Sequence, residues 1–399
     1  MKKITIVALI IIAVGVCLAL AGFAAGGWKG YWTIAPAAPA APSAPNVAEP
    51  PEPPEPRGFL RGIMGGWFDR GGIRFSGSDR GALVKVDENY DGFTDIVLDA
   101  DFFTSITYKE GDGYAVRGQN YERYGGLNVR VDSGTLHIDA KRDRKWLNFG
   151  IDEWFKWNEK ECWLEITYPK GAKFGAVNAN VSAGHVIAGG FDCEELYIDN
   201  SFGKIEVSAV SCGTMLINSA SGDTRISGVD VRGKASVDND FGNVNMKDVG
   251  ANDLIVDLNA GNASISGVTA ATFRVSNDFG KITLENIEAD TLTLRNNSGD
   301  LSAERVKTKD LFVDSDFGLV RIDRLEFSGV SEIEQNSGDV RVSLDMSEDD
   351  LSYELSASAG SVNVDGERYG NSTRSRNAGA EASLRISADF GAITLKFLK

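Results

Sequence analysis

A chain of 399 residues has material for a large core or for more than one domain. Its formal charge of −16 excludes nucleic acid and anionic lipid headgroups as main partners, because both would repel it. Two histidines leave little for general acid–base chemistry, and four cysteines without a Cys-x-x-Cys pair give no zinc or redox signature.

The first segment predicts export. Lys2 and Lys3, in a cytoplasmic tail of residues 1–3, precede an uncharged apolar run over 4–25, long enough to cross a bilayer as a helix. With the lysines inside, a retained single-pass anchor leaves the C-terminal domain extracytoplasmic and joins it to the cell membrane. The alternative is a cleaved signal peptide and a secreted domain, since Ala19-Leu20-Ala21 supplies a small-residue cleavage site.

Residues 26–56 form an Ala/Pro/Glu-rich linker that holds nine of the ten prolines, all between Pro36 and Pro56. In polyproline II at ~3.1 Å per residue, that stretch would span roughly 65 Å. Over 57–85 the run "RGFLRGIMGGWFDR" puts Phe59, Leu60, Ile63, Met64, Trp67 and Phe68 on one helical face. This is a candidate amphipathic helix, weakened by its glycines.

Residues 86–175 read as N-terminal strands with an aromatic cap. "DENYDGFTD" spaces Asp87, Asn89, Asp91 and Asp95 like a calcium loop, with Gly92 at the sharp turn. Leu98 stands where a bidentate glutamate belongs, and the same residues also suit a polar turn before a strand. Calcium is the one cofactor this spacing raises. Further on, Trp146, Trp154, Trp157 and Trp163 crowd one segment. They suit either a lid over an open apolar end or a surface for sugar rings or a protein partner.

From 176 to 399 a repeat dominates. Glycines at 184, 203, 222, 242, 261, 280, 299, 318 and 338 recur every 19 or 20 residues, and Gly360 and Gly391 continue the series after insertions. Apolar residues recur seven and five before each glycine (Leu254 and Val256, Leu292 and Leu294) and two, four and seven after it (Ile282, Leu284 and Ile287). Spacing of two is strand periodicity. Units this short bury an apolar face only by stacking. The expected fold is all-β, a single-stranded parallel β-helix (β-solenoid) of about eleven coils at ~4.8 Å each.

Asp-Phe-Gly occurs four times, at Phe241-Gly242, Phe279-Gly280, Phe317-Gly318 and Phe390-Gly391, with Phe202-Gly203 a fifth Phe-Gly pair. The tripeptide also marks the kinase magnesium site, but the other kinase motifs are missing, and repetition points to architecture. The position alternates large and small, coil by coil: Phe202, Ser221, Phe241, Ala260, Phe279, Ser298, Phe317, Ser337. Continuing the strand parity points it inward, so each ring is expected to pack over a small residue in the next coil.

Asn200, Asn239, Asn277 and Asn296 recur three before the glycine and predict a buried amide ladder. Cys193 and Cys212 are equivalent residues one coil apart, within disulfide reach or else two buried thiols. Asp199, Asp238, Asp257 and Asp314 form an outward acidic stripe, and 366–383 should project as a loop.

These features carry a resemblance. "DIVLDADFFTSITYKEGDGYAV", "WLEITYPKGAKF", the iterated Ser-Gly-Asp units (Ser221-Gly222-Asp223, Ser298-Gly299-Asp300, Ser337-Gly338-Asp339) and the closing "LRISADFGAITLKF" resemble the bacterial putative-adhesin family of β-strand repeats, a domain of unknown function. The resemblance covers about 92–399. It implies a cell-envelope β-helix, at times linked to envelope stress, with no catalytic residues to carry over.

The expectation is thus a non-enzymatic, membrane-anchored scaffold for adhesion or envelope sensing, with an envelope protein or a glycan as partner. The alternative is a carbohydrate-binding or carbohydrate-active β-helix. Self-association through coil ends is a third reading.

Overall fold

The computed structural model describes residues 82–141, 162–375, 377 and 380–399. The anchor, the proline linker, the amphipathic segment up to residue 81, and Trp146, Trp154 and Trp157 lie outside the described residues. The chain divides into two compact units, 1–76 and 77–399, and only the second is described below. No helix among the described residues is long and apolar enough to cross a membrane.

The second unit is all-β. Its opening strands are β1 (Leu83–Tyr90), β2 (Asp95–Ala100), β3 (Ser105–Gly111), β4 (Tyr114–Tyr121), β5 (Asn128–Asp132), β6 (Thr135–Ala140), β7 (Trp163–Pro169) and β8 (Lys173–Ala183). Long strands follow: β9 (His185–Phe202), β10 (Ile205–Ser219), β11 (Thr224–Phe241), β12 (Val244–Ala260), β13 (Ala263–Phe279), β14 (Ile282–Ser298) and β15 (Leu301–Phe317). The closing strands are β16 (Val320–Phe327), β17 (Val330–Ser337), β18 (Val340–Leu344), β19 (Leu351–Ala359), β20 (Val362–Val364), β21 (Glu367–Arg368), β22 (Ser372–Ser375), β23 (Ala382–Phe390) and β24 (Ile393–Phe397).

From β8 to β15 each strand pairs in parallel with the next, in a register set by the repeat: Val256 beside Val275, Val275 beside Leu294. The apolar positions named above point inward, and Leu254, Val256, Ile282 and Leu284 are buried. Parallel stacking satisfies each main-chain group from the windings on either side. It also buries a continuous aliphatic core that no single winding would possess.

Two corners bend each winding. At the first, Gly280 has φ +136° and lies so close to its neighbour that a Cβ would stand 1.9 Å from the Gly261 carbonyl oxygen. Only a residue without a side chain fits both demands. The second corner lies six residues later and is left-handed from β9 to β16: Gly190, Ala209, Gly228, Asp248, Gly267, Asn286, Arg305 and Arg324 have φ between 52° and 78°. The extra residue of the winding from Gly222 to Gly242 is absorbed as a register shift between Val231 and Lys234.

The solenoid has about nine turns, not eleven. After Leu344 the chain leaves the spiral. β19 is laid one winding too far out, and β23 then returns to fill the space between β17 and β19, while β24 lies between β18 and β20. The other end mirrors this. β2 lies between β6 and β8, and β3 between β7 and β9, so the first winding in sequence is not the outermost in space.

Antiparallel strands cover both ends. β4 pairs with β7 and β1 with the outer edge of β4, while β5 pairs with β6. At the far end β21 and β22 fold back on β20 and β19, so the segment expected as a projecting loop supplies covering strands. Beneath the first end, Tyr168, Phe174 and Phe191 pack edge to face, with centroids 5.4–5.7 Å apart. The Tyr168 hydroxyl donates to the Gly189 carbonyl.

Candidate functional site

The phenylalanines before the corner glycines point outward, contrary to the expectation from strand parity. Phe241, Phe279, Phe317 and Phe390 are 42, 65, 60 and 66% exposed, and Phe202 is half-buried. The reason lies three residues before the glycine. Asn239 and Asn277 are still inward, and there the chain begins to turn; the next two residues, such as Asp278 and Phe279, both stay outside before the glycine reverses the pleat. Parity thus ends one step earlier than simple alternation implies.

The buried amides hold that bend. Asn200, Asn239 and Asn277 each donate through Nδ2 to a glycine carbonyl of the previous winding, at 2.9, 2.9 and 3.0 Å, and Gln335 does the same to Gly318. Asn296 Nδ2 donates within its own winding, to the Gly299 carbonyl. The expected amide ladder is therefore a ladder of side chain to main chain, not of amide to amide.

The outward row is regular. Phe241, Ala260, Phe279, Ser298, Phe317, Ser337, Phe390 and Ala359 are successive register partners. At ~4.8 Å per winding, neighbouring rings stand about 9.6 Å apart, with a small residue between each pair. Beside the rings runs a second row in which Asp and Asn alternate. Asn259 donates to Asp240, Asn297 to Asp278 (2.7 Å), and Asn336 to Asp316.

On the other flank, Asp223 accepts from the main chain and the side chain of Asn243 at 3.0 and 3.1 Å. Those bonds, led by the backbone one, hold its carboxyl below the usual range. Within the acidic stripe, burial first, then Asp240 and Asp257, raise the pKa of Asp238.

The calcium spacing does not close into a site. Asp87 and Asn89 lie on the extended β1, where Arg117 of β4 donates to both, at 3.0 and 3.4 Å. Asp91 is exposed at the bend that follows. Asp95 opens β2 and accepts from the Ala176 main chain and the Thr94 hydroxyl at 2.8 and 2.9 Å. A strand spreads alternate side chains along a line instead of wrapping them round a cation. Among the described residues no group of three His, Cys, Asp or Glu converges as a metal site.

Cys193 and Cys212 are direct register partners and are buried free thiols in this structure. A hydrogen bond with the Cys212 thiol, and then burial, push Cys193 up. Trp163 lies half-buried on β7, opposite Ser105 and Gln119. A shallow cleft of about 300 Å³ opens where the last windings are interleaved, lined by Glu332, Glu354, Arg374 and Arg385. Its charges are already paired, Arg374 with Glu354 at 2.7 Å and Arg385 with Glu332 at 3.4 Å.

Comparison with known proteins bears on the whole fold. No curated protein matches the chain. Solved structures similar to it include a putative adhesin of Bacteroides fragilis, 14% identical, covering 61% of this chain and 96% of that one with a TM-score of 0.31. A putative adhesin of Parabacteroides distasonis is 15% identical and covers 61% and 97% with a TM-score of 0.37. The family model described as Toastrack DUF4097 matches twice, over residues 93–238 and 232–396, and so accounts for nearly all of the described solenoid. The chain belongs to the Toastrack DUF4097 family.

Proposed function

We propose that this protein is a non-enzymatic, adhesin-like scaffold, held at the cell membrane by residues 4–25 and binding an envelope partner through the outward phenylalanine corner. The observation that carries the reading is the exposure of Phe279, Phe317 and Phe390 at one repeated position. At about 200 Å² per ring, the four rings leave roughly 450 Å² of aromatic surface in water, the size of patch that on a monomer often marks a binding site. Rigid stacking holds the rings at fixed spacing, so little ordering cost accompanies binding. Lys2, Lys3 and the apolar run after them support the anchored, exported placement.

The test uses the full chain. Retention on cell-envelope material is expected to fall at least tenfold when Phe279→Ser and Phe317→Ser are combined, with no products released from a polysaccharide panel. Undiminished retention sinks the binding role of this corner, and release of reducing or unsaturated ends sinks the non-enzymatic reading.

A further inference from the structure

We propose that the phenylalanine row is a docking surface for an extended proline-rich segment in the polyproline II conformation, bearing one cationic side chain per turn. The inference rests on the scaffold reading above and adds the ligand's conformation and charge.

Pitch selects the conformation. Rings two windings apart repeat at about 9.6 Å, and a polyproline II helix advances about 9.3 Å per three-residue turn. The mismatch of about 0.3 Å per step accumulates to only about 1 Å from Phe241 to Phe390. A β-strand returns to the same face every ~6.8 Å and an α-helix every ~5.4 Å, and each is out of step with the rings within one interval.

Relief fits the same ligand. Phe241, Phe279, Phe317 and Phe390 are ridges, and Ala260, Ser298 and Ser337 are the notches between them. A pyrrolidine ring seated in each notch would meet an aromatic side chain above and below. Polyproline segments are bound in this manner by grooves lined with aromatic side chains.

Charge selects the third residue of each turn. Every ridge is preceded by a carboxylate: Asp240, Asp278, Asp316 and Asp389. In the first three an asparagine amide of the next winding engages one oxygen, which leaves the second oxygen out of that bond. Two residues further back on the same flank the column runs Asp238, Asp257, Ser276, Arg295, Asp314 and Glu334, four carboxylates against one arginine. After burial, the charges of Asp240 and Asp257 add to the raised pKa of Asp238. The opposite flank (Asn262, Lys281, Asp300, Leu319) is mixed in sign and sets no preference. Arginine at every third position would meet one carboxylate per turn and lie within reach of a ring face. A second copy of this chain would instead set its own acidic row against this one.

Isothermal titration of the full chain with synthetic peptides tests the inference. Four Pro-Pro-Arg triplets are expected to bind saturably, at least tenfold more tightly than a peptide of equal composition with its four arginines clustered at one end, or than Pro-Pro-Glu triplets. Affinity should fall with salt. It should drop at least tenfold in Phe279→Ser with Phe317→Ser, a variant that copies the Ser298 and Ser337 corners and should keep the parent's melting curve. Equal binding of the control peptides, or binding indifferent to the two rings, overturns the proposal. Self-association or chito-oligosaccharide binding that needs the rings, with no peptide binding, assigns the row to another occupant and leaves the scaffold reading standing. Envelope retention that ignores the rings defeats that broader reading instead.

Discussion

Phe390 lies in direct register with Ser337, and Ala359 lies on its other side, although the chain builds Ala359 first. The last strands are therefore interior, and their loss should act like removal of a core layer. Deleting residues 382–399 takes away Leu384, Ile386, Ile393 and Leu395, all buried. At 2–5 kcal/mol for each large apolar side chain, the loss should be on the order of 10 kcal/mol. Hydrogen exchange is expected to show β15 to β19 unprotected in the truncated chain; protection equal to the parent's would contradict the interleaving.

Two phenylalanines of one strand should behave oppositely. Phe273 is 1% exposed in the core, whereas Phe279, six residues on, stands in water. Phe273→Ala is expected to cost ~3–5 kcal/mol in urea unfolding, and Phe279→Ser within about 0.5 kcal/mol of nothing. Comparable losses at the two positions would place the ring of Phe279 inside.

The two left-handed columns give opposite outcomes for glycine and alanine. Gly280→Ala must move a main-chain carbonyl and adopt a disfavoured φ, at a cost of about 3 kcal/mol or more. Ala209→Gly, at φ 52° in the second corner, relieves strain and should stabilise by about 1 kcal/mol. Thermal melts of the two variants, shifted down and up respectively, check both.

Much of this was legible in the amino-acid order. The stacked parallel windings and the core at Leu254, Val256, Ile282 and Leu284 follow from spacing alone, because the register of a solenoid is its repeat. The ring direction was not, since parity holds along a straight strand and the bend starts at Asn277, two residues before the ring. The interleaved end left a trace. In chain order the alternation breaks, with Ser337 followed by Ala359, and only the spatial order restores a phenylalanine between them. The second corner was signalled by Gly190, Gly228, Gly267, Asp248 and Asn286, and obscured by Ala209, Arg305 and Arg324 at the same position. The spacing of Asp87, Asn89, Asp91 and Asp95 falls along a strand, the bend after it and the start of the next strand, an interval that alternating polar residues of a strand also produce.

Asp238 makes stability depend on pH. Burial, then the charges of Asp240 and Asp257, raise its folded-state pKa above the unfolded value near 3.9. Below that value both states are protonated and the group costs nothing. As pH rises the unfolded state ionises first, so stability falls through the folded pKa and stays lower above it. Asp238→Asn should therefore melt higher than the parent at pH 7 and alike at pH 3. A gain that persists at pH 3, or a loss at pH 7, would contradict the assignment.

Distances along the ring row test the central geometry most directly. Spin labels on Phe241→Cys with Phe279→Cys, and on Phe279→Cys with Phe317→Cys, should give mobile, solvent-exposed spectra with the same separation of about 10 Å. The pair Phe241→Cys with Phe317→Cys should give about 19 Å, twice that step. Immobilised labels, or separations that do not double, would contradict parallel windings stacked in register with the rings outside.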